Sequence, residues 1–199
     1  YDSAGGSFLA AFSGVLMGAA WAACISRIIL VCSAMASASC ESAAAISGGS
    51  ATLLNSRFIA NRTTAGNGGS YKDRGGALYL APVSATVRNC LICGNDAEYE
   101  GDGIYVASGS VNVASCDIVQ NCGNGIYRGA LGTVSVTNSI LWNNVTDTVG
   151  TVTLSYCDFQ KVGAGATTNN HCFSTDPLFE RGLYLATNSP CVDTGGDSA

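Results

Sequence analysis

From Ser47 to Gln160 short runs of alternating apolar and polar residues recur along the chain. Val111-x-Val113 and Val134-x-Val136 have the period of two that a half-buried strand requires. The runs are broken at Gly or Asn, residues that turn the chain. No stretch here holds an apolar period of 3.6 long enough for a helical crossover between strands. The pattern predicts short strands and turns.

The runs are copies of one phrase. It reads Ala51-Thr-Leu53-Leu-Asn55-Ser56-Arg-Phe58-Ile-Ala-Asn61, then Ala85-Thr-Val87-Arg-Asn89-Cys90-Leu-Ile92-Cys-Gly-Asn95. It returns as Val111-Asn-Val113-Ala-Ser115-Cys116-Asp-Ile118-Val-Gln-Asn121 and Val134-Ser-Val136-Thr-Asn138-Ser139-Ile-Leu141-Trp-Asn-Asn144. A weaker copy, Val152-Thr-Leu154-Ser-Tyr156-Cys157-Asp-Phe159, lacks the closing Asn. The closing asparagines step by 34, 26 and 23 residues. A second phrase precedes three copies as Gly76-Ala-Leu78-Tyr79, Gly103-Ile104-Tyr105 and Gly125-Ile126-Tyr127, its tyrosines stepping by 26 and 22. Two markers that move together define a repeated structural unit, with an insertion of about 11 residues around Arg62–Arg74 that reads as a loop.

A unit of 22–26 residues made of strands and turns fits one coil of a parallel β-solenoid. The alternative is an antiparallel sandwich with coincidental repeats. In a solenoid equivalent residues lie about 4.8 Å apart. Inward positions then become Val/Leu/Ile columns, and Asn61, Asn95, Asn121 and Asn144 become a structural amide ladder.

Composition narrows the class. Of 199 residues 47% are hydrophobic and only 12% charged, about half the usual charged fraction, with a net charge of −5. The basic footprint of a nucleic-acid binder is missing, and an apolar, weakly charged chain does not read as disordered. Ten cysteines are too sparse for a small disulfide scaffold. With one histidine and one CxxC (Cys90–Cys93), no four-ligand zinc site is assembled.

These residues resemble right-handed parallel β-helix proteins of the pectin-lyase-like group. Gly75-Gly76-Ala77-Leu78 and Phe58-Ile59-Ala60-Asn61 are similar to the GGA[ILV] and FxxN repeats of chlamydial polymorphic outer membrane proteins. Asn138-Ser-Ile-Leu-Trp-Asn-Asn144, Asp176-Pro-Leu-Phe179 and Ser189-Pro-Cys-Val-Asp-Thr-Gly195 resemble the C-terminal module of bacterial choice-of-anchor surface proteins. The resemblance implies an all-β, right-handed single-stranded parallel β-helix of about five coils. It also implies export to the bacterial cell surface, outer-membrane associated or extracellular.

The expected organisation is an N-terminal part over 1–46, repeats over 47–162 and a non-repeating module over 163–199. Residues 9–46 read as a divergent or miscoded coil, then as a capping helix, then as a membrane span that lacks a basic flank. Ala36-Ser37-Ala38 resembles a signal-peptidase site, but Tyr1-Asp2 opens without Met or a basic region. The expectation is a part of a longer chain.

Four constellations carry candidate chemistry. Cys90, Cys116 and Cys157 share a repeat position with Ser56 and Ser139, which marks a small inward site where a thiol acts as a small hydrophobe. Cys172 and Cys191 bracket the Asp-Pro-Leu-Phe turn and are a candidate disulfide, worth roughly 3 kcal/mol in an oxidising compartment. Tyr79, Tyr105 and Tyr127 are expected on one outward face, either as a platform for sugar rings or as a cover for the sheet. Asp96, Glu98, Glu100 and Asp102 crowd one turn as candidate calcium ligands or as an ordinary solvated loop.

Catalysis has little support. Asp117 and Asp158 share a repeat position with Ile140 between them, an expected separation of about 10 Å, near the upper range for an inverting glycosidase pair. His171 reads as a surface residue, and the sequons at Asn61 and Asn144 are claimed by the ladder. The expected function is therefore non-catalytic: an adhesin-like surface protein binding polysaccharide or a host or cell-surface glycan. The alternatives are a polysaccharide lyase or glycoside hydrolase (or its inactive relative) and a structural spacer. No cofactor beyond candidate calcium is implied.

Overall fold

The computed structural model describes residues 8–10, 27–31, 44–63, 74–82, 84–169 and 171–196, the first two stretches as backbone only. Most of segment 1–46, with its candidate helix, span and cleavage site, lies outside the described residues, as does the insertion over 64–73. Among the described residues the chain is all-β, and no helix is long and apolar enough to cross a membrane.

Each phrase contributes three short strand segments, and each segment pairs with its counterpart in the next copy. The first ladder holds β3 (Ala44–Ser47), β6 (Leu78–Ala81), the leading parts of β9 (Ile104–Ala114) and β11 (Asn124–Thr137), and β13 (Thr146–Val149). The second holds β1 (Phe8–Ala10), β2 (Arg27–Val31), β4 (Ser50–Leu54) and β7 (Ser84–Arg88), then the trailing parts of β9 and β11, β14 (Val152–Ser155) and β16 (Thr167–Thr168). These two ladders merge into one 11-stranded sheet. The third is a five-stranded sheet of β5 (Arg57–Ile59), β8 (Leu91–Cys93), β10 (Asp117–Val119), β12 (Ile140–Trp142) and β15 (Asp158–Phe159). All of these pairings are parallel.

The register places like on like. Ala51, Ala85, Val111, Val134 and Val152 form one column, and Leu53, Val87, Val113, Val136 and Leu154 the next. Phe58, Ile92, Ile118 and Leu141 form a third on the smaller sheet. All are buried and belong to a single core, each larger side chain contributing about 1.5–3 kcal/mol of transfer free energy. A slip of one residue would turn every one of them outward, so the repeated pattern itself fixes the register.

Two corners per repeat separate the ladders. Asn55, Asn89, Ser115, Asn138 and Tyr156 all sit at the first with φ between 48° and 54°, left-handed backbone that Asn tolerates better than most residues. Ala60, Gly94, Gln120 and Asn143 take the second. A third turn needs glycine for space: a Cβ on Gly76 would lie 2.5 Å from the Asp102 carbonyl oxygen, and one on Gly103 2.3 Å from that of Gly125.

Just after the first corner the buried Ser56, Cys90, Cys116, Ser139 and Cys157 make one and the same bond. Each hydroxyl or thiol donates to the carbonyl two residues back, at 2.7 Å for the serines and 3.2 Å for the cysteines. Interchange of Ser and Cys follows, since both are small donors.

Beyond Phe159 the chain closes the stack. Val162 bridges to Thr148, β16 pairs with β14, and Phe173 bridges to Asp158, one cover for each ladder. Phe159, Val162, Ala166 and Cys172 pack onto the core. The tail motifs interlock with it: Ser189 Oγ donates to the Pro177 carbonyl at 2.7 Å, and Asn138 holds the backbone of Gly196 through two hydrogen bonds.

Candidate functional site

Tyr79, Tyr105 and Tyr127 are register partners on β6, β9 and β11, so their rings are forced one above another. The ring centroids are 5.5 Å apart with 16° between planes at both steps, an offset stack of the favourable kind. The row runs between Ala45 and Val149, its register partners on either side.

The expectation of an open outward face needs correction. Tyr105 is only 7% exposed, and its hydroxyl lies so close to Gly129 that a Cβ there would be 3.1 Å away. The Arg74 guanidinium carbon lies 5.1 Å from the Tyr105 ring centroid, within cation–π range. Arg74 Nε is in turn 2.9 Å from Glu100 Oε2, with both side chains 30% exposed. The Glu100 side chain near the Tyr127 hydroxyl, then burial and the carboxylate's charge, raise the Tyr127 pKa. An ion pair thus lies across the middle of the row, leaving Tyr79 and Tyr127 half-buried at its ends.

That crossing was available to sequence reasoning and was missed. Arg74 and Glu100 each immediately precede the glycine turn of successive repeats, whose backbones pair from Gly75 N–H to Glu100 C=O onward. Read as register partners, the two opposite charges stack.

The acidic turn is dispersed. Asp96 faces Arg62 at 3.2 Å on the surface, Glu100 holds Arg74, and Glu98 is exposed. Asp102 is buried and accepts from the Ala97 N–H at 3.2 Å and the Asn124 N–H at 2.6 Å. Alternate spacing would align these carboxylates only in an extended strand, and the segment bends instead. Among the described residues no group of three or more His, Cys, Asp or Glu is placed to hold a metal ion, so this turn is not gathered as a calcium cage.

Cys172 and Cys191 are both free thiols, not a disulfide. Cys191 Sγ donates to Asp158 Oδ2 at 3.1 Å, while Cys172 packs on the core beside Cys157. Burial, then the Asp158 carboxylate, push the Cys191 thiol up to about 12.

The amide ladder is continuous. Asn61 Nδ2 donates to Asn95 Oδ1 (2.8 Å), Asn95 to Asn121 (2.9 Å) and Asn121 to Asn144 (2.9 Å). The second amide hydrogens of Asn95, Asn121 and Asn144 go to the carbonyls of Phe58, Ile92 and Ile118. The sequon asparagines, Asn61 and Asn144, are therefore buried and bonded. Asp147, which sequence reasoning passed over, terminates the run by accepting from Asn144 at 2.8 Å.

Asp117, Ile140 and Asp158 form one column on the smaller sheet. Desolvation raises Asp117 to about 6. Asp158 is 2% exposed, closed in by Cys191 and by the Thr175 N–H at 3.2 Å, so the two carboxyl groups do not share an open cleft. His171 is exposed and stacks on Tyr156, with centroids 4.8 Å apart.

No family model, curated protein or solved structure matches this chain. The reading of function therefore rests on the geometry above and on the motifs in the sequence.

Proposed function

We propose that this chain is the repeat region and closing module of an exported, surface-displayed bacterial protein. Its fold in this reading is a right-handed parallel β-helix of about five coils, like the pectin-lyase-like and polymorphic outer membrane proteins it resembles. It binds rather than catalyses, presenting its long faces to polysaccharide or to cell-surface glycan. The observation that carries the reading is the unbroken amide ladder, because amides bond end to end only when successive repeats wind in vertical register.

The tyrosine row is the favoured surface. Flat ring edges at Tyr79 and Tyr127, flanked by the Arg74–Glu100 pair, offer apolar contact together with donors and acceptors suited to a sugar's alternating CH and OH faces. An acidic turn beside the row favours uncharged sugars over uronates. Glycan-array binding by the full chain that falls at least about tenfold in Tyr127→Ala supports this surface, that ratio being about 1.4 kcal/mol. Binding unchanged in that variant removes it.

A further inference from the structure

The Asn138–Gly196 contact is a recognition unit in its own right. Gly196 N–H donates to Asn138 Oδ1 at 2.8 Å, and Asn138 Nδ2 donates to the Gly196 carbonyl at 3.0 Å. One side-chain amide thus satisfies both backbone groups of a single residue, as a neighbouring strand would. A Cβ on Gly196 would lie 3.1 Å from three atoms of the Tyr156 ring, one repeat further on, so a larger residue there would have to displace that ring by a few tenths of an ångström.

Asn89 repeats the geometry two copies earlier. Its φ is 52° against 48° for Asn138, and both donate their backbone N–H one repeat onward, Asn89 to Ala114 and Asn138 to Ser155. Asn89 is exposed and spends one amide hydrogen on Asn55 Oδ1 at 2.6 Å. Its amide oxygen has no partner among the described residues, and its second amide hydrogen remains, the same pair of groups that Asn138 turns to Gly196. Beside them lies a groove of about 470 Å³ lined by Leu54, Asn55, Arg88, Asn89 and Ser115.

Two differences from the Asn138 copy specify what the groove accepts. Ser115 stands where Tyr156 stands below Asn138, so no aromatic ring presses on the Cβ of a clasped residue. Arg88 precedes Asn89 where uncharged Thr137 precedes Asn138, which adds an exposed, positively charged residue to the lining.

We propose that this groove docks an extended acidic peptide of a partner protein. Asn89 clasps the backbone of one residue, and Arg88 pairs with a side-chain carboxylate next to it. The site is separate from the tyrosine row and does not depend on a glycan ligand.

The test is a titration of the ¹⁵N-labelled full chain with the capped peptide Asp-Thr-Ala-Ser-Asp and its analogue carrying Lys for both Asp. The side-chain amide signal of Asn89 is identified by its loss in Asn89→Gly, a change the left-handed φ accommodates. A saturable shift of that signal is expected with the acidic peptide, weakened about tenfold or more for the Lys peptide. Arg88→Glu, at an exposed position, should reverse the preference. Absence of a shift at millimolar peptide, equal affinity for both peptides, or shifts confined to Asn138 would overturn the proposal.

Discussion

Asn144 donates an amide hydrogen to Asp147 Oδ1 at 2.8 Å, and there a run of four buried amides ends on a carboxylate. The other oxygen of Asp147 accepts from the backbone N–H groups of Gln160 (2.7 Å) and Lys161 (2.6 Å). Five residues after each Cys or Ser of the inward column comes a ladder asparagine, except after Cys157, where Val162 offers no amide. Asp147 fills that gap with acceptors alone, which is what three converging donors need.

Asp147→Asn is therefore expected to destabilise, although it restores the residue type of the ladder. Its single acceptor oxygen cannot serve both sides, and its NH₂ would face a donor. Leaving one or two buried donors unpaired costs about 1–3 kcal/mol. Urea unfolding checks this; a variant as stable as the parent would show that the carboxylate is not the required terminus.

Asp117 makes stability depend on pH in a defined direction. Its folded pKa, raised to about 6 by desolvation between Leu91 and Ile140, lies above the ordinary 3.8 of the unfolded chain. The folded state then holds the proton more tightly, so this group's contribution is intact below pH 3.8 and is lost as pH rises through 6. Asp117→Asn should raise stability by about 1–2 kcal/mol at pH 7.5 and leave it unchanged at pH 3.5. Parallel pH profiles for the two proteins would refute the assignment.

Thiol reactivity should follow burial. Burial pushes Cys157 up to about 12, and the Cys90 thiol together with burial raises Cys116 well above its ordinary value. Cys122 is exposed. Brief alkylation of the native protein at pH 8.5, followed by peptide mapping, is expected to mark Cys122 and spare Cys90, Cys116 and Cys157 until denaturant is added. Cys116→Ser should change stability by no more than about 1 kcal/mol, because serine already makes the same bond at positions 56 and 139.

The ion pair over the tyrosines has a spectroscopic signature. Glu100→Gln removes the carboxylate that raises the Tyr127 phenol. The Tyr127 pKa should fall toward 10, seen as an earlier phenolate transition in an ultraviolet titration against the parent protein. An unshifted transition would mean that Glu100 does not set the Tyr127 pKa.

What was legible in the sequence was whatever repetition encodes. Copies of one phrase align themselves, so the columns through Leu53, Phe58, Asn61 and Tyr79 can be read by matching letters, without knowing the path of the chain. Strand alternation also placed the tyrosines outward, but it says nothing about what else reaches that face, and Arg74 crosses it. The turn carboxylates and the two tail cysteines depend on the course of irregular backbone, where neither period applies. Asp102 turns in to cap backbone N–H groups, and Cys191 meets Asp158, for reasons set by a chain path that no local pattern records.

Every amide in the buried run points the same way, hydrogen toward the C-terminal end, so the run has a polarity like that of a string of aligned magnets. Each inner member gives one hydrogen to the next copy and takes one from the copy before, so the run carries a direction along the stack, and Asp147 is its accepting end.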